Sequence, residues 1–180
     1  TLRHSSAASD VYKRQRVDLQ VGASAARIGW ALEIARKVRR EERLDELKAS
    51  AYINMIVNEE SEKAWRMATG AITSQSRFSA MHGKVIGPTS NATADTLTKI
   101  HSAYDMKQHG QHDPGLITSE FAHEFGIYGS PAYCIDRLNE LVELGIDRFI
   151  MAGGPELAHP DSDVVKLAER FVKDVLPHFK

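Results

Sequence analysis

The chain has 180 residues, 42% of them hydrophobic and 26% charged, and its 23 basic against 24 acidic side chains leave a net charge of -1. This is the profile of one soluble globular domain; it excludes a disordered or fibrous segment and lacks the basic face that nucleic acid or an anionic membrane requires. No apolar run approaches the roughly 18 to 20 residues of a membrane span, and the single cysteine, Cys134, has no internal partner for a disulfide, so a cytoplasmic location is expected.

Residues 1–15 are polar, aperiodic and carry no secretory signal; Ser5 to Gln15 resembles a translated adapter scar, and the alternative is a disordered, frayed terminus. Residues 16–180 form the expected domain. Val17 to Gly22 alternates and ends on glycine, which predicts a short strand, with Asp18 to Val21 at its centre. Ala25 to Arg40 carries Ile28, Leu32, Ala35 and Val38 at helical spacing, with Ala31 and Ile34 beside them. Lys48 to Asn58 is rich in β-branched and aromatic residues and predicts a second strand centred on Ala51 to Val57, followed by a helix from about Ser61 to Met81.

Gly83 to Asn91 contains Gly87-Pro88 and reads as a loop, Ala92 to Gln108 as a helix, and His109 to Gly115 as a polar break. The whole of Gly83 to Phe125 is expected to lie outside the sheet. Phe125 to Gly129 is a brief extended piece; Ser130-Pro131 then supplies an N-cap and a first-turn proline for a helix ending at Gly145. Asp147 to Ala152, with Arg148 to Met151 at its centre, predicts the third strand, Gly153-Gly154-Pro155 its exit, and Asp163 to Phe179 the last helix. Strands separated by helices argue for an α/β fold with parallel pairing, whose ligands bind beyond the carboxyl ends of the strands. Gly22-Ala23-Ser24, Val57-Asn58-Glu59 and Ala152-Gly153-Gly154 should therefore share one face.

His101, His109 and His112, with Asp105 and Asp113, lack the spacing of a metal motif and are expected to be a solvated loop, with no metal site. The glycines of Gly22-Ala23-Ser24 and of Gly153-Gly154 permit backbone amides to approach a phosphate, although each is also an ordinary strand-exit turn. Arg77 and His82 can meet an anionic or carbonyl substrate; equally, His82 and Gly83 can close a helix. Cys134 sits in the first turns of a helix, where a dipole lowers a thiol pKa, but its neighbours Leu138, Leu141 and Val142 mark it as core. Trp30 and Trp65 read as packing residues.

The run Phe125-Gly126-Ile127-Tyr128-Gly129-Ser130-Pro131-Ala132-Tyr133-Cys134-Ile135-Asp136-Arg137-Leu138, followed by Leu144 to Ile150, resembles the C-terminal signature of the luciferase-like monooxygenase superfamily. Val17 to Arg36 and Arg77 to Gly83 resemble its methylenetetrahydromethanopterin reductase-like branch. The resemblance implies a partial (β/α)8 TIM barrel: strands six to eight, with an insertion before the last strand and the first five strands missing. It implies FMN or a deazaflavin (coenzyme F420) as cofactor, a small organic substrate that exchanges a hydride or is oxygenated, and a homodimeric full-length parent, the fragment itself being inactive alone. The end of strand six, Gly22, Ala23 and Ser24, corresponds to a place where relatives contact cofactor or substrate, with Asn58, Gly153 and Gly154 along the same face. No lysine ends that strand, which argues against a sugar-phosphate substrate, and the catalytic residues are left unassigned. The alternative from the residues themselves is a self-associating, non-catalytic β/α module with open strand edges.

Overall fold

The computed structural model describes residues 16–42, 46–104, 107, 114–152 and 163–179. The tail 1–15, the Gly153-Gly154-Pro155 exit, and Asp105, His109, His112 and Asp113 lie outside them.

Strand β1 is Arg16–Leu19 and strand β2 Lys48–Val57, joined by helix α1, Ala25–Glu41. Ser24 caps α1, its hydroxyl accepting from the Arg27 amide, and Arg39 and Arg40 occupy the last turn, where cations complement the helix dipole. The helix packs on Ile28, Ala31 and Leu32, whereas Ile34 and Val38 are about half exposed (48% and 49%). The buried stripe is thus shorter than the sequence pattern, because four-residue β1 offers little sheet for the second half of a 17-residue helix to cover.

After β2 the expected long helix is broken. Helix α2, Ser61–Met67, is followed by helix α3, Thr69–Ser76, and a 3-10 turn, Arg77–Ala80. Helix α4 is Asn91–Ala103, shorter than expected at its carboxyl end, and helix α5 is Ser119–Phe125. Strand β3, Gly126–Gly129, comes next, then helix α6, Pro131–Leu144, and strand β4, Arg148–Met151. Ser130 caps α6, and Gly145 closes it at φ +108°, a left-handed conformation glycine adopts without steric cost; the Ile146 amide donates back to Leu141 O at 3.1 Å. Helix α7, Asp163–Arg170, continues through a π-helical turn, Phe171–Val175, into a 3-10 turn, Leu176–Phe179.

Among the described residues all strand pairing is parallel, as the helical crossovers require, and β2 is the centre. In a parallel ladder the N–H and C=O of one residue point to the same side, so alternate residues of β2 serve opposite neighbours. Ala49 O and Ile53 O accept from Asp147 N and Ala152 N, placing β4 along the odd-numbered edge. Asn58 N donates to Gly129 O at 2.8 Å, placing β3 on the other edge. β1 pairs with Lys48 to Ala51 and β3 with Asn54 to Val57, so the two succeed each other along that second edge. The brief extended piece is therefore a fourth strand, one more than the sequence pattern counts, and Gly83 to Phe125 contains no strand among the described residues.

The two faces of the sheet carry separate cores. Ala49, Ala51, Ile53 and Val57 pack with α1 and α6 through Ile28, Leu32, Leu138 and Leu141. Ile56 and Tyr128 pack on the other side with α2 to α5 through Trp65, Ile72, Leu97 and Phe121. At the amino end Arg16 reaches across β2, donating to Ser50 Oγ at 3.1 Å and pairing with Asp147. Tyr128 folds back over Gly126, where any side chain would collide with its ring, and its hydroxyl is buried with no hydrogen-bond partner among the described residues. A buried unpaired hydroxyl costs on the order of 1–3 kcal/mol. Tyr128→Phe is accordingly expected to raise the unfolding free energy by about 1 kcal/mol in urea titrations; a loss of stability on that scale would show that the hydroxyl is bonded.

Candidate functional site at the carboxyl ends of the strands

The exit of β1 is bonded to the end of α5, just before β3, and the exit of β2 to the end of β3. Gly22 turns at φ +101° directly beneath the carbonyl of Glu124, the penultimate residue of α5. Ala23 N and Ser24 N both donate to that carbonyl, at 2.9 and 3.1 Å. These amides are consequently committed to the fold, as is the Ser24 hydroxyl that caps α1. Ala23 is fully buried and its own carbonyl accepts from Arg137 Nη2 at 2.8 Å. Asn58 stands at the exit of β2, half-buried; its Oδ1 accepts from Glu60 N at 2.9 Å, while its side-chain NH2 keeps its donors.

Arg77 lies in the 3-10 turn after α3, its guanidinium 4.5 Å from the centre of the Phe78 ring and 4.3 Å from that of Tyr104. Nε donates to Ser74 O, leaving the two terminal nitrogens as donors. Two aromatic faces fix the orientation of a cation that remains half-exposed, an arrangement suited to an anionic or carbonyl oxygen. His82 is exposed in the following turn, with no hydrogen bond to Gly22, Ala23, Ser24 or Asn58 among the described residues. Gly153 and Gly154 are outside the described residues. His101 is exposed on α4. Cys134 is fully buried, donates weakly to Gly129 O at 3.5 Å and has its pKa pushed up to about 12 by burial, the opposite of an activated thiol.

Two polar groups that the sequence did not single out organise this end of the molecule. Arg27 is 1% exposed. Its Nε donates to Val21 O at 2.6 Å, Nη1 to Pro88 O at 3.2 Å, and Nη2 to Ser79 Oγ at 2.8 Å and Ile86 O at 2.9 Å. It thereby fastens the loop carrying His82 and Gly87 to the exit of β1. Glu124 stands 3.8 Å from Arg27 Nη1 and accepts from the hydroxyls of Thr89 (2.8 Å) and Thr93 (2.9 Å). Burial pulls the Arg27 pKa below its ordinary value and Glu124 offsets part of that shift. One sequence signal was available: Arg27 sits on the same helical stripe as Ile28, Ala31 and Leu32, an odd place for a charge unless it is paired.

A family model described as luciferase-like monooxygenase matches residues 19–148, from the end of β1 to the start of β4. Among solved structures, the chain is similar to the coenzyme F420 dependent tetrahydromethanopterin reductase from Methanopyrus kandleri, at 19% identity and a TM-score of 0.63 over 92% of this chain and 46% of that one. The chain thus spans about half the length of that relative. No curated protein matches it. The likeness bears out the α/β class, its parallel sheet and its reading as part of a barrel. Among the described residues, no helix is long and apolar enough to cross a membrane.

Proposed function

Because the chain belongs to the luciferase-like monooxygenase family, we propose that it supplies the later β/α units of an oxidoreductase that works on a small organic substrate with FMN or the deazaflavin coenzyme F420. The observation that carries this reading is the family match itself, which runs from the end of β1 to the start of β4 and takes in the strand exits at Gly22 and Asn58. The relative is named for F420-dependent reduction, which supports hydride exchange as the reaction class.

Either cofactor presents phosphate and ring carbonyl oxygens, which need N–H donors. Among the described residues, donors that could serve them include the Asn58 side-chain amide and the terminal nitrogens of Arg77; the amides of Ala23 and Ser24 are engaged by Glu124. We read these donors as one wall of such a site, contributed from the exit of β2 and from the turn after α3. When bound, the cofactor supplies the hydride chemistry, and this chain contributes orientation and charge. Arg77, clamped between two rings, holds an anionic oxygen in a fixed direction; Asn58 donates to a neutral one. Gly22 to Ser24, locked to α5, give that wall a rigid floor.

One wall encloses too little of a ligand for tight binding. Fluorescence titration of the chain with FMN and with F420 is expected to give saturable binding weaker than about 10 μM, equivalent to roughly 7 kcal/mol. Arg77→Gln and Asn58→Ala should each weaken it by about tenfold, since a hydrogen bond to a charged or carbonyl oxygen contributes on the order of 1–3 kcal/mol. Failure of either cofactor to bind at millimolar concentration, together with concentration-dependent association of the chain, would favour the self-associating module instead.

A further inference from the structure

Ser61, His123 and Tyr133 form a hydrogen-bonded row that the redox reading does not use. Ser61 Oγ lies 3.1 Å from His123 Nε2, and the Tyr133 hydroxyl lies 3.1 Å from His123 Nδ1. The three come from α2, α5 and α6, so tertiary packing alone assembles them. The rings of His123 and Tyr133 meet edge to face at 5.6 Å, and Tyr128 approaches His123 from another side at 6.0 Å. Burial and the positive charge of Arg137 hold the His123 pKa below its ordinary value, so the imidazole is neutral at pH 7 and has one nitrogen lone pair available. Ser61 forms part of the wall of a cavity of about 650 Å³ shared with Trp65, Arg66, Ile117, Thr118 and Ser119.

A nucleophile within about 3.2 Å of a base, with that base oriented by a third group, is the arrangement that activates a hydroxyl. The single proton of Ser61 has two acceptors here, Tyr128 O at 2.8 Å and His123 Nε2 at 3.1 Å. A hydroxyl rotor moves between them with no displacement of heavy atoms. With the ring proton on Nδ1 and directed at the Tyr133 oxygen, the Nε2 lone pair faces Ser61.

We propose that Ser61 and His123 are a nucleophile–base pair that transfers short acyl groups from reactive esters bound in this cavity, with Tyr133 as the positioning residue. Ser61 Oγ attacks the ester carbonyl carbon while its proton passes to His123 Nε2. The ester C–O bond breaks, the leaving alcohol takes that proton, and an acyl-serine remains. Water, giving its proton to the same nitrogen, attacks the acyl carbon; the carboxylic acid departs and Ser61 recovers its hydrogen. No oxidant, metal or cofactor enters the balance, so the inference stands or falls apart from the redox reading.

The test is stoichiometric labelling with an alkyl fluorophosphonate, in which an Oγ–P bond forms and fluoride leaves, located by peptide mass spectrometry and paired with hydrolysis of p-nitrophenyl acetate. One adduct per chain on Ser61 is expected. His123→Gln should slow its formation by at least about 100-fold, the usual contribution of a general base, and Ser61→Ala should abolish both adduct and hydrolysis. Tyr133→Phe should lower kcat with KM unchanged, since it alters ring orientation and not the cavity. Absence of an adduct, an adduct on another residue, or equal labelling rates in folded His123→Gln would overturn the proposal. Should His123→Gln fail to fold, Ser61→Ala, which removes only a hydroxyl, decides: hydrolysis that persists in it overturns the proposal as surely.

Discussion

Arg27→Ala is expected to lower the unfolding free energy by about 3–5 kcal/mol, the range found when one partner of a buried charge network is removed. Four acceptors lose their donor at once: the carbonyls of Val21, Ile86 and Pro88 and the hydroxyl oxygen of Ser79. Glu124, with an 18% exposed side chain, keeps its two threonine hydroxyls but loses its counter-charge. Arg27→Lys should recover only part of the loss, because one ammonium cannot direct donors along the four lines that the guanidinium fork serves. Urea titration of the three chains checks the order, and hydrogen exchange checks the place. The Ile86 amide, which donates to Ser79 O at 2.8 Å, should lose protection well before amides of β2. If the alanine chain stayed within about 1 kcal/mol of the parent, the loop from Ser79 to Pro88 would be held by something other than Arg27.

The consequence for function follows from what that loop carries. His82 and the neighbouring Arg77 turn belong to the segment that Arg27 fastens, so the clamp sets the distance between the insertion and the exit of β1. A cofactor wall assembled from both would lose its geometry before the sheet lost its strands. Weaker binding by Arg27→Ala at temperatures where the sheet is intact would be the sign of that order of events.

Helix α6 was legible in full because its signals are local: Ser130 and Pro131 at the start, Cys134, Leu138 and Leu141 along one stripe, Gly145 at the end. The break between α2 and α3 was not. Ala64, Trp65, Ala68 and Ile72 keep helical spacing straight through it, so periodicity sees one helix. The break lies in the hydrogen bonds: the Ala68 amide bonds back to Trp65 O, three residues earlier, and the Thr69 hydroxyl donates to Arg66 O. Strand β3 was hidden for a different reason. Four residues with two glycines carry almost no strand signal, and Gly126 to Gly129 is a strand because β2 extends beyond β1 and leaves an edge to pair with.

The candidate site divides in the same way. Gly22, Ser24 and Asn58 could be placed because a strand exit is a local landmark in an α/β chain. Arg27, His123 and Glu124 could not, since a polar residue on a helix is exposed by default and these acquire partners only from remote elements: Arg27 from Ser79, 52 residues away, and His123 from Ser61, 62 residues away. Arg77 was singled out as an anion contact, and the ring of Tyr104 that orients it lies on the far side of the Gly83 to Asn91 loop.

Gly22→Ala is expected to cost about 2–4 kcal/mol, from two sources that act on the same atom. A non-glycine residue at φ +101° carries backbone strain on the order of 1–3 kcal/mol. The added Cβ would also stand 2.8 Å from Glu124 O and 3.2 Å from Phe125 Cδ1, inside ordinary contact distance. Neither neighbour can yield cheaply. Glu124 O is the shared acceptor of Ala23 N and Ser24 N, and Phe125, 3% exposed, is packed in the second core immediately before β3. Relief therefore has to come from α5 as a body, which would draw the Glu124 carboxylate away from Thr89 and Thr93 and disturb the Arg27 clamp as well. Gly29→Ala, seven positions after Gly22 and in the second turn of α1, is the matched control, because nothing lies within 4 Å of its added Cβ. There the same methyl should stabilise by about 0.5–1 kcal/mol through helix propensity and a less flexible unfolded chain. Opposite signs in parallel urea titrations would show that the turn at Gly22, and not the methyl group, sets the outcome; equal stability of the two variants would mean that the lock between β1 and α5 is loose.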